Sequence, residues 1–140
     1  MGSASSGPPR TRALAHALRD CLCIHLADLD REGVLDAPDR TATVAGGHRP
    51  AIRGWIEARG RPVTMLVLRY VLDEGGQDHA VTQHVPITST PMPRGGRRRW
   101  LLCPRCRARV MVLALPPRGR GFGCRRCLGL VAPCRQRALR

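Results

Sequence analysis

Apolar residues recur along this chain in three different rhythms. From Thr11 to Cys23, Leu14, Leu18 and Leu22 fall at every fourth position among Ala and Arg, which is the spacing of one helix face. Asp28 to Leu35 reads as one further helical turn stopped by Gly33, and Asp36-Ala-Pro-Asp39 as a loop. From Thr41 to Thr90 the period shortens. Ile52, Ile56 and the apolar run Val63 to Leu72 predict strands divided by Gly60-Arg-Pro62, and Asp73-Glu-Gly-Gly-Gln-Asp78 predicts a turn. Ala80 to Thr88 then returns as a strand with Val81, Val85 and Ile87 on one face, and Pro86, which lacks a ladder donor, assigns it to an edge. The expected product is an antiparallel meander of three or four strands with the N-terminal helix laid on its apolar face.

The last third is punctuated by cysteines. Trp100-Leu-Leu, Val110 to Leu115 and Phe122 are short apolar pieces that lead into or out of Cys103-Pro-Arg-Cys106 and Cys124-Arg-Arg-Cys127, two Cys-x-x-Cys pairs with 17 residues between them. A two-residue gap lets one tight turn offer two thiolates to the same ion, so this spacing predicts a single structural Zn2+ held by Cys103, Cys106, Cys124 and Cys127. With thiolates in all four positions, no coordination site stays open for catalysis. Pro116-Pro-Arg-Gly-Arg-Gly121 is the expected hairpin tip of a zinc ribbon. The predicted class is α+β: residues 1–10 a tail, 11–90 a small α+β domain with the antiparallel sheet, and 91–140 a basic four-cysteine zinc-ribbon domain joined through Pro91-Met-Pro-Arg-Gly-Gly96. On that division, Cys106→Ser unfolds residues 95–135 and spares the sheet. Dithiol redox chemistry is the rival reading of Cys-Pro-x-Cys, but two matched pairs without a βαβ pattern argue against it. Cys21, Cys23 and Cys134 are read as small buried hydrophobes, although Cys134 is near enough in sequence to compete as a ligand.

Charge changes the picture most. Residues 1–93 hold ten Arg and ten acidic residues, whereas residues 94–140 hold fourteen Arg and no acid, which accounts for the whole net charge of +14. A four-thiolate zinc centre would subtract about 2 from that block. So basic a segment implies a polyanionic partner, most simply nucleic acid, with DNA ahead of RNA. Arg97, Arg98 and Arg99 precede the first knuckle, Arg105, Arg107 and Arg109 surround it, and Arg125 and Arg126 sit inside the second. Guanidinium groups on rigid knuckles suit bidentate phosphate contacts. Trp100 and Phe122 are read as the ribbon's own small core, so backbone-directed binding is expected. The alternative is an interaction adaptor whose ribbon docks on an acidic protein surface.

Arg19, Asp20 and Asp28 interrupt the Ala- and Leu-rich stretch Ala13 to Leu29, so no secretory signal is expected, and no apolar run reaches the roughly 18 residues a membrane span requires. The five histidines are scattered, and no nucleophile motif or phosphate-binding loop is present. A cytoplasmic, non-enzymatic protein with no membrane partner is the expectation.

The run Gly95-Gly-Arg-Arg-Arg-Trp-Leu-Leu-Cys-Pro-Arg-Cys106, followed by Phe122-Gly-Cys-Arg-Arg-Cys127 and Leu130, resembles a group of short uncharacterised bacterial zinc-ribbon proteins sometimes met near mobile elements. Leu29-Asp-Arg-Glu-Gly-Val-Leu35 and Val85-Pro-Ile-Thr-Ser-Thr90 are also similar to that group's layout, which extends the likeness over residues 25–136. The chain departs from the group's pattern at Leu101, Ala114 and Ala132, where aromatics are usual, and at Cys134, which replaces a Ser. The resemblance implies the ribbon architecture and the four ligands, and no activity.

Overall fold

A computed structural model describes residues 21–38, 40–46, 51–116, 119–129 and 136–137. Its elements are β1 (Leu22–His25), α1 (Leu26–Arg31), β2 (Thr41–Gly46), β3 (Ala51–Arg59), β4 (Met65–Glu74), β5 (Gln77–Pro91), β6 (Arg97–Leu102), β7 (Arg109–Val110), β8 (Val112–Leu115) and β9 (Gln136–Arg137). Strands β2 to β7 form one six-stranded sheet in sequence order, all neighbours antiparallel. A second sheet has the order β8-β1-β9, with β1 antiparallel to β8 and parallel to β9.

The meander follows from alternation. Ile52, Ile56 and Ala58 on β3, Leu66, Leu68, Tyr70 and Leu72 on β4, and Val85 on β5 all turn to one face and are buried, while Arg53, Trp55, Arg59 and Arg69 between them are exposed. Gly54 interrupts the inward set for a steric reason: a Cβ there would lie 2.1 Å from the Arg69 carbonyl oxygen and 2.5 Å from the Tyr70 Cα. Among the described residues Gln77–Pro86 pairs with β4 alone, and pairing with β6 begins at Ile87. Pro86 is thus tolerated where the predicted edge lies, after which β5 runs on into the ribbon.

The N-terminal expectation is only partly met. Leu22–His25 is strand β1 and not the end of a helix; Thr11–Asp20, the rest of that expected helix, lies outside the described residues. The one helix among the described residues is α1, starting two residues before the predicted turn and followed by Gly33 at φ 73°. The described fold is therefore mostly antiparallel sheet with a short helix. Leu22 and Ile24 point into the main core, whereas Cys21 and Cys23 face a second, smaller cluster with Ala114, Val112 and Leu128. Cys23 is disulfide-bonded, which corrects its reading as a plain buried hydrophobe; Cys21 is buried and takes no part in a disulfide.

The ribbon segment is woven into the rest. The expected boundary at 90/91 falls inside β5, and the expected linker is a hairpin turn, with Met92 N–H donating to Gly96 O (3.0 Å) and Gly95 N–H to Met92 O (3.1 Å). The single strand expected over Val110 to Leu115 breaks at Met111: β7 pairs with β6 in the large sheet, and β8 pairs with β1 in the small one. One apolar core runs through both parts and includes Leu29, Ile56, Tyr70, Leu101, Cys103, Leu113 and Phe122.

Candidate metal centre

Two equivalent turns build the centre. In each, the N–H four residues after the first cysteine donates to that cysteine's carbonyl: Arg107 to Cys103 (2.9 Å) and Leu128 to Cys124 (3.1 Å). The first turn needs a left-handed residue, and Arg107 supplies it at φ 66°, a conformation that costs a non-glycine residue energy. It is held by the flanking β6–β7 hairpin, where Cys103 N–H donates to Ala108 O (2.9 Å). The second turn is anchored through Gly123, which exchanges two hydrogen bonds with Ala114 of β8 (2.8 and 3.0 Å).

The four sulfurs of Cys103, Cys106, Cys124 and Cys127 all lie within 4.8 Å of one another. Cys103 Sγ is 3.9 Å from Cys127 Sγ, and Cys106 Sγ is 3.6 Å from Cys124 Sγ. A tetrahedron with metal–sulfur bonds of about 2.3 Å has edges of about 3.8 Å, so the cluster has the dimensions of a four-thiolate site. Main-chain N–H groups of Arg105 and Cys124 point at Cys103 Sγ (3.4 and 3.3 Å), and that of Cys127 at Cys124 Sγ (3.4 Å). Burial pushes the Cys103 thiol up, but N–H donors from Cys106, Arg105 and Cys124 outweigh it and bring its pKa down to about 7. Cys127 is pushed up to about 12, first by its hydrogen bonds to Cys106 and Cys124. Four thiols this close cannot all ionise without a cation among them, so the donor set fits a thiophilic metal ion. Cys103 and Cys124 are buried and Cys106 and Cys127 exposed, so an ion held by the four would sit at the rim of the core.

The sequence pattern hides how the centre is joined to the large sheet. Gln83 sits on the inward face of β5, between Val81 and Val85. Its Oε1 accepts from Phe122 N–H (2.8 Å) and from the Tyr70 hydroxyl, and its Nε2 donates to Phe122 O (3.1 Å). The side-chain amide thus acts as a one-residue ladder between β5 and the chain entering the second knuckle. A polar residue breaking an apolar alternation was the available signal. Gln83→Leu leaves the Phe122 main chain and the Tyr70 hydroxyl unpaired in the core, at about 1–3 kcal/mol for each stranded group. We expect a lowered denaturation midpoint and a weaker metal-chelator competition curve; a variant that melts early but holds metal as tightly as before would separate the sheet from the centre.

The aromatic residues divide differently from expectation. Phe122 is fully buried, but in the common core, edge-on to Tyr70 with ring centroids 5.5 Å apart. Trp100 faces away from that core, its indole N–H donating to Thr90 Oγ1 (2.9 Å) and the Arg98 guanidinium 5.0 Å over its ring.

The predicted arginines also fall into two groups. Arg99 turns inward and pairs with Asp36 (2.8 Å) and Asp30 (3.8 Å), and Arg97 donates to the Ser89 hydroxyl (2.8 Å) and carbonyl (3.1 Å), so this part of the run ties β6 to its neighbours. Arg105, Arg107, Arg125 and Arg126 are exposed on the knuckles. An open groove of about 560 Å³ beside the centre is lined by Ala108, Arg109, Val110, Cys124, Arg125 and Arg126. Arg109, placed by the sequence only as a neighbour of the first knuckle, completes it.

No protein family, curated protein or solved structure matches this chain. No helix among the described residues is long and apolar enough to cross a membrane.

Proposed function

We propose that this is a non-enzymatic nucleic-acid-binding protein whose basic surface is fixed in place by one structural zinc ion. Zinc would be held by Cys103, Cys106, Cys124 and Cys127, its charge keeping all four thiolates ionised. The observation that carries the binding assignment is the groove beside that centre, where Arg109, Arg125 and Arg126 converge within a segment that has fourteen Arg and no acid. Guanidinium groups on metal-braced turns lose little further freedom on meeting a phosphate, and they grip it with two parallel hydrogen bonds. Arg105 and Arg107 extend the same surface. The run before the first knuckle stands apart from this groove: Arg97 and Arg99 are tied to Ser89, Asp30 and Asp36, and Arg98 lies over Trp100 with its guanidinium 3.2 Å from Met111 Sδ. The contacts are with the backbone, so the binding is expected to be weakly selective for sequence.

The test is a titration of the metal-loaded full chain into labelled duplex DNA, single-stranded DNA and RNA at several salt concentrations, with elemental analysis of the bound metal. Binding should weaken steeply with salt. Changing Arg109, Arg125 and Arg126 together to Gln should weaken it for all sequences alike, flattening the slope by about 0.9 per lost contact on duplex DNA. Weak binding to all three, with an acidic polypeptide bound in their place, would turn the reading over to the interaction adaptor; bound iron would overturn zinc.

A further inference from the structure

The outward face of the six-stranded sheet has chemistry that the knuckle groove does not use. Alternation from the buried set puts Trp55 there on β3, Arg69 directly opposite it on β4, and Arg53 two residues before it on the same strand. Trp55 is 46% exposed, and Arg53, Arg69, Thr82 and His84 around it are exposed as well. A large indole left in water on a regular strand calls for a reason, because burying it would have stabilised the protein by a few kcal/mol. Nor is the ring free to swing. Its N–H donates to Glu57 Oε1 at 2.9 Å, which restrains the ring while nearly half of the residue stays in solvent.

The same face continues across β5 onto β6. Thr88 and Thr90 share the outward side with their register partners Trp100 and Arg98. Trp100 is likewise tied by its N–H, and Arg98 stacks over it. Four arginines, Arg53, Arg59, Arg69 and Arg98, share this face with three acids, Glu57, Asp73 and Asp78, and Glu57 lies 3.4 Å from Arg59 and 4.0 Å from Arg69 in exposed pairs. Arg53 also meets Asp78 at the hairpin tip, but that pair is exposed and 3.4 Å long, the kind of contact a ligand displaces at little cost.

We infer that this face binds single-stranded nucleic acid, bases stacking on Trp55 and Trp100 while Arg53, Arg69 and Arg98 hold the phosphates. The inference rests on the nucleic-acid reading above and adds a strand type and a second surface to it. Unpaired bases have exposed π-faces that any flat aromatic can meet, whereas a duplex hides its bases in the stack. An acidic protein would use the arginines and have no need of two tethered indoles. Holding the rings by their N–H groups lowers the ordering cost of the complex.

The chain has two tryptophans, so indole fluorescence reports on this face alone. The metal-loaded full chain is titrated with twelve-nucleotide oligo(dT) and oligo(U), with a duplex of the same length, and with polyglutamate. Expected are quenching by both single strands, a loss of about tenfold or more in their affinity on Trp55→Leu, and substantial recovery in Trp55→Tyr. The two single-stranded arms rank DNA against RNA. Trp55→Leu should leave duplex binding unchanged, whereas the Arg109, Arg125 and Arg126 triple variant should weaken it. Single-strand binding indifferent to Trp55→Leu overturns this inference and leaves the groove standing. Quenching by polyglutamate equal to that by oligo(dT) assigns the face to an acidic protein. Duplex binding indifferent to the triple variant overturns the groove reading instead.

Discussion

Cys124→Ser, or removal of the metal by a strong chelator, is expected to unfold the six-stranded sheet along with the knuckles. Cys124 is buried, and its turn is tied to β8 through Gly123 and to β5 through Gln83. β8 in turn pairs with β1, and β6 with β5, so no seam separates a metal-dependent part from an independent one. Structural zinc contributes on the order of 10–16 kcal/mol of apparent binding energy to small peptides, against a total stability of about 5–15 kcal/mol for an ordinary domain. Losing an ion of that worth from the four cysteines would exhaust the margin of the whole molecule. Amide signals from Ile56 and Leu68, deep in the sheet, should collapse together with those of Leu101 and Phe122 when chelator is added. Survival of the β3–β4 signals while the knuckle signals vanish would support the two-domain expectation drawn from the sequence.

Phe122→Ala is expected to be nearly as damaging, at about 3–5 kcal/mol, the usual cost of emptying a buried aromatic site. The ring is fully buried and packs edge-on against Tyr70. The surrounding main chain cannot collapse into the space, because Phe122 N–H and C=O are both held by Gln83. Phe122→Leu keeps most of the volume and should recover more than half of the loss. A denaturant titration of the three proteins would measure this. If Phe122→Ala cost under about 1 kcal/mol, the shared core would have to be abandoned and the ribbon treated as self-contained.

The hairpin from Met65 to Pro91 was legible because its signals are local: a β-rich run, a Gly-Gly turn flanked by acids, and a returning alternation. The clustering of the four cysteines was legible for the same reason, since the two-residue gap is itself the geometry. Leu22 to His25 misled because Leu22 continues the spacing of four set by Leu14 and Leu18, and a short apolar run does not distinguish a buried strand from a helix turn. What decides is β8, roughly 90 residues away, and no local pattern records such a pairing. The arginines misled in another way. Arg97, Arg98 and Arg99 look alike in a row, but strand alternation sends Arg97 and Arg99 inward to Ser89, Asp36 and Asp30 and leaves Arg98 outside on Trp100. Gln83 went unread, although a polar residue among inward-facing valines was a signal in the sequence.

The pairing of Leu22–His25 with Val112–Leu115 also sets a timetable. During synthesis β1 emerges early and waits for its partner, and closing a loop of roughly 90 residues is entropically slow compared with zipping the β3–β4–β5 meander. The meander should therefore form first, with the apolar side of β4 still uncovered, and the nascent chain is vulnerable to aggregation in that interval. A metal captured by the knuckles would shorten the wait by fixing Gly123 beside Ala114, in the strand that β1 needs. On the proposed reading, metal supply at the moment of translation would control yield: chain made without metal should aggregate or be degraded more than chain made with it.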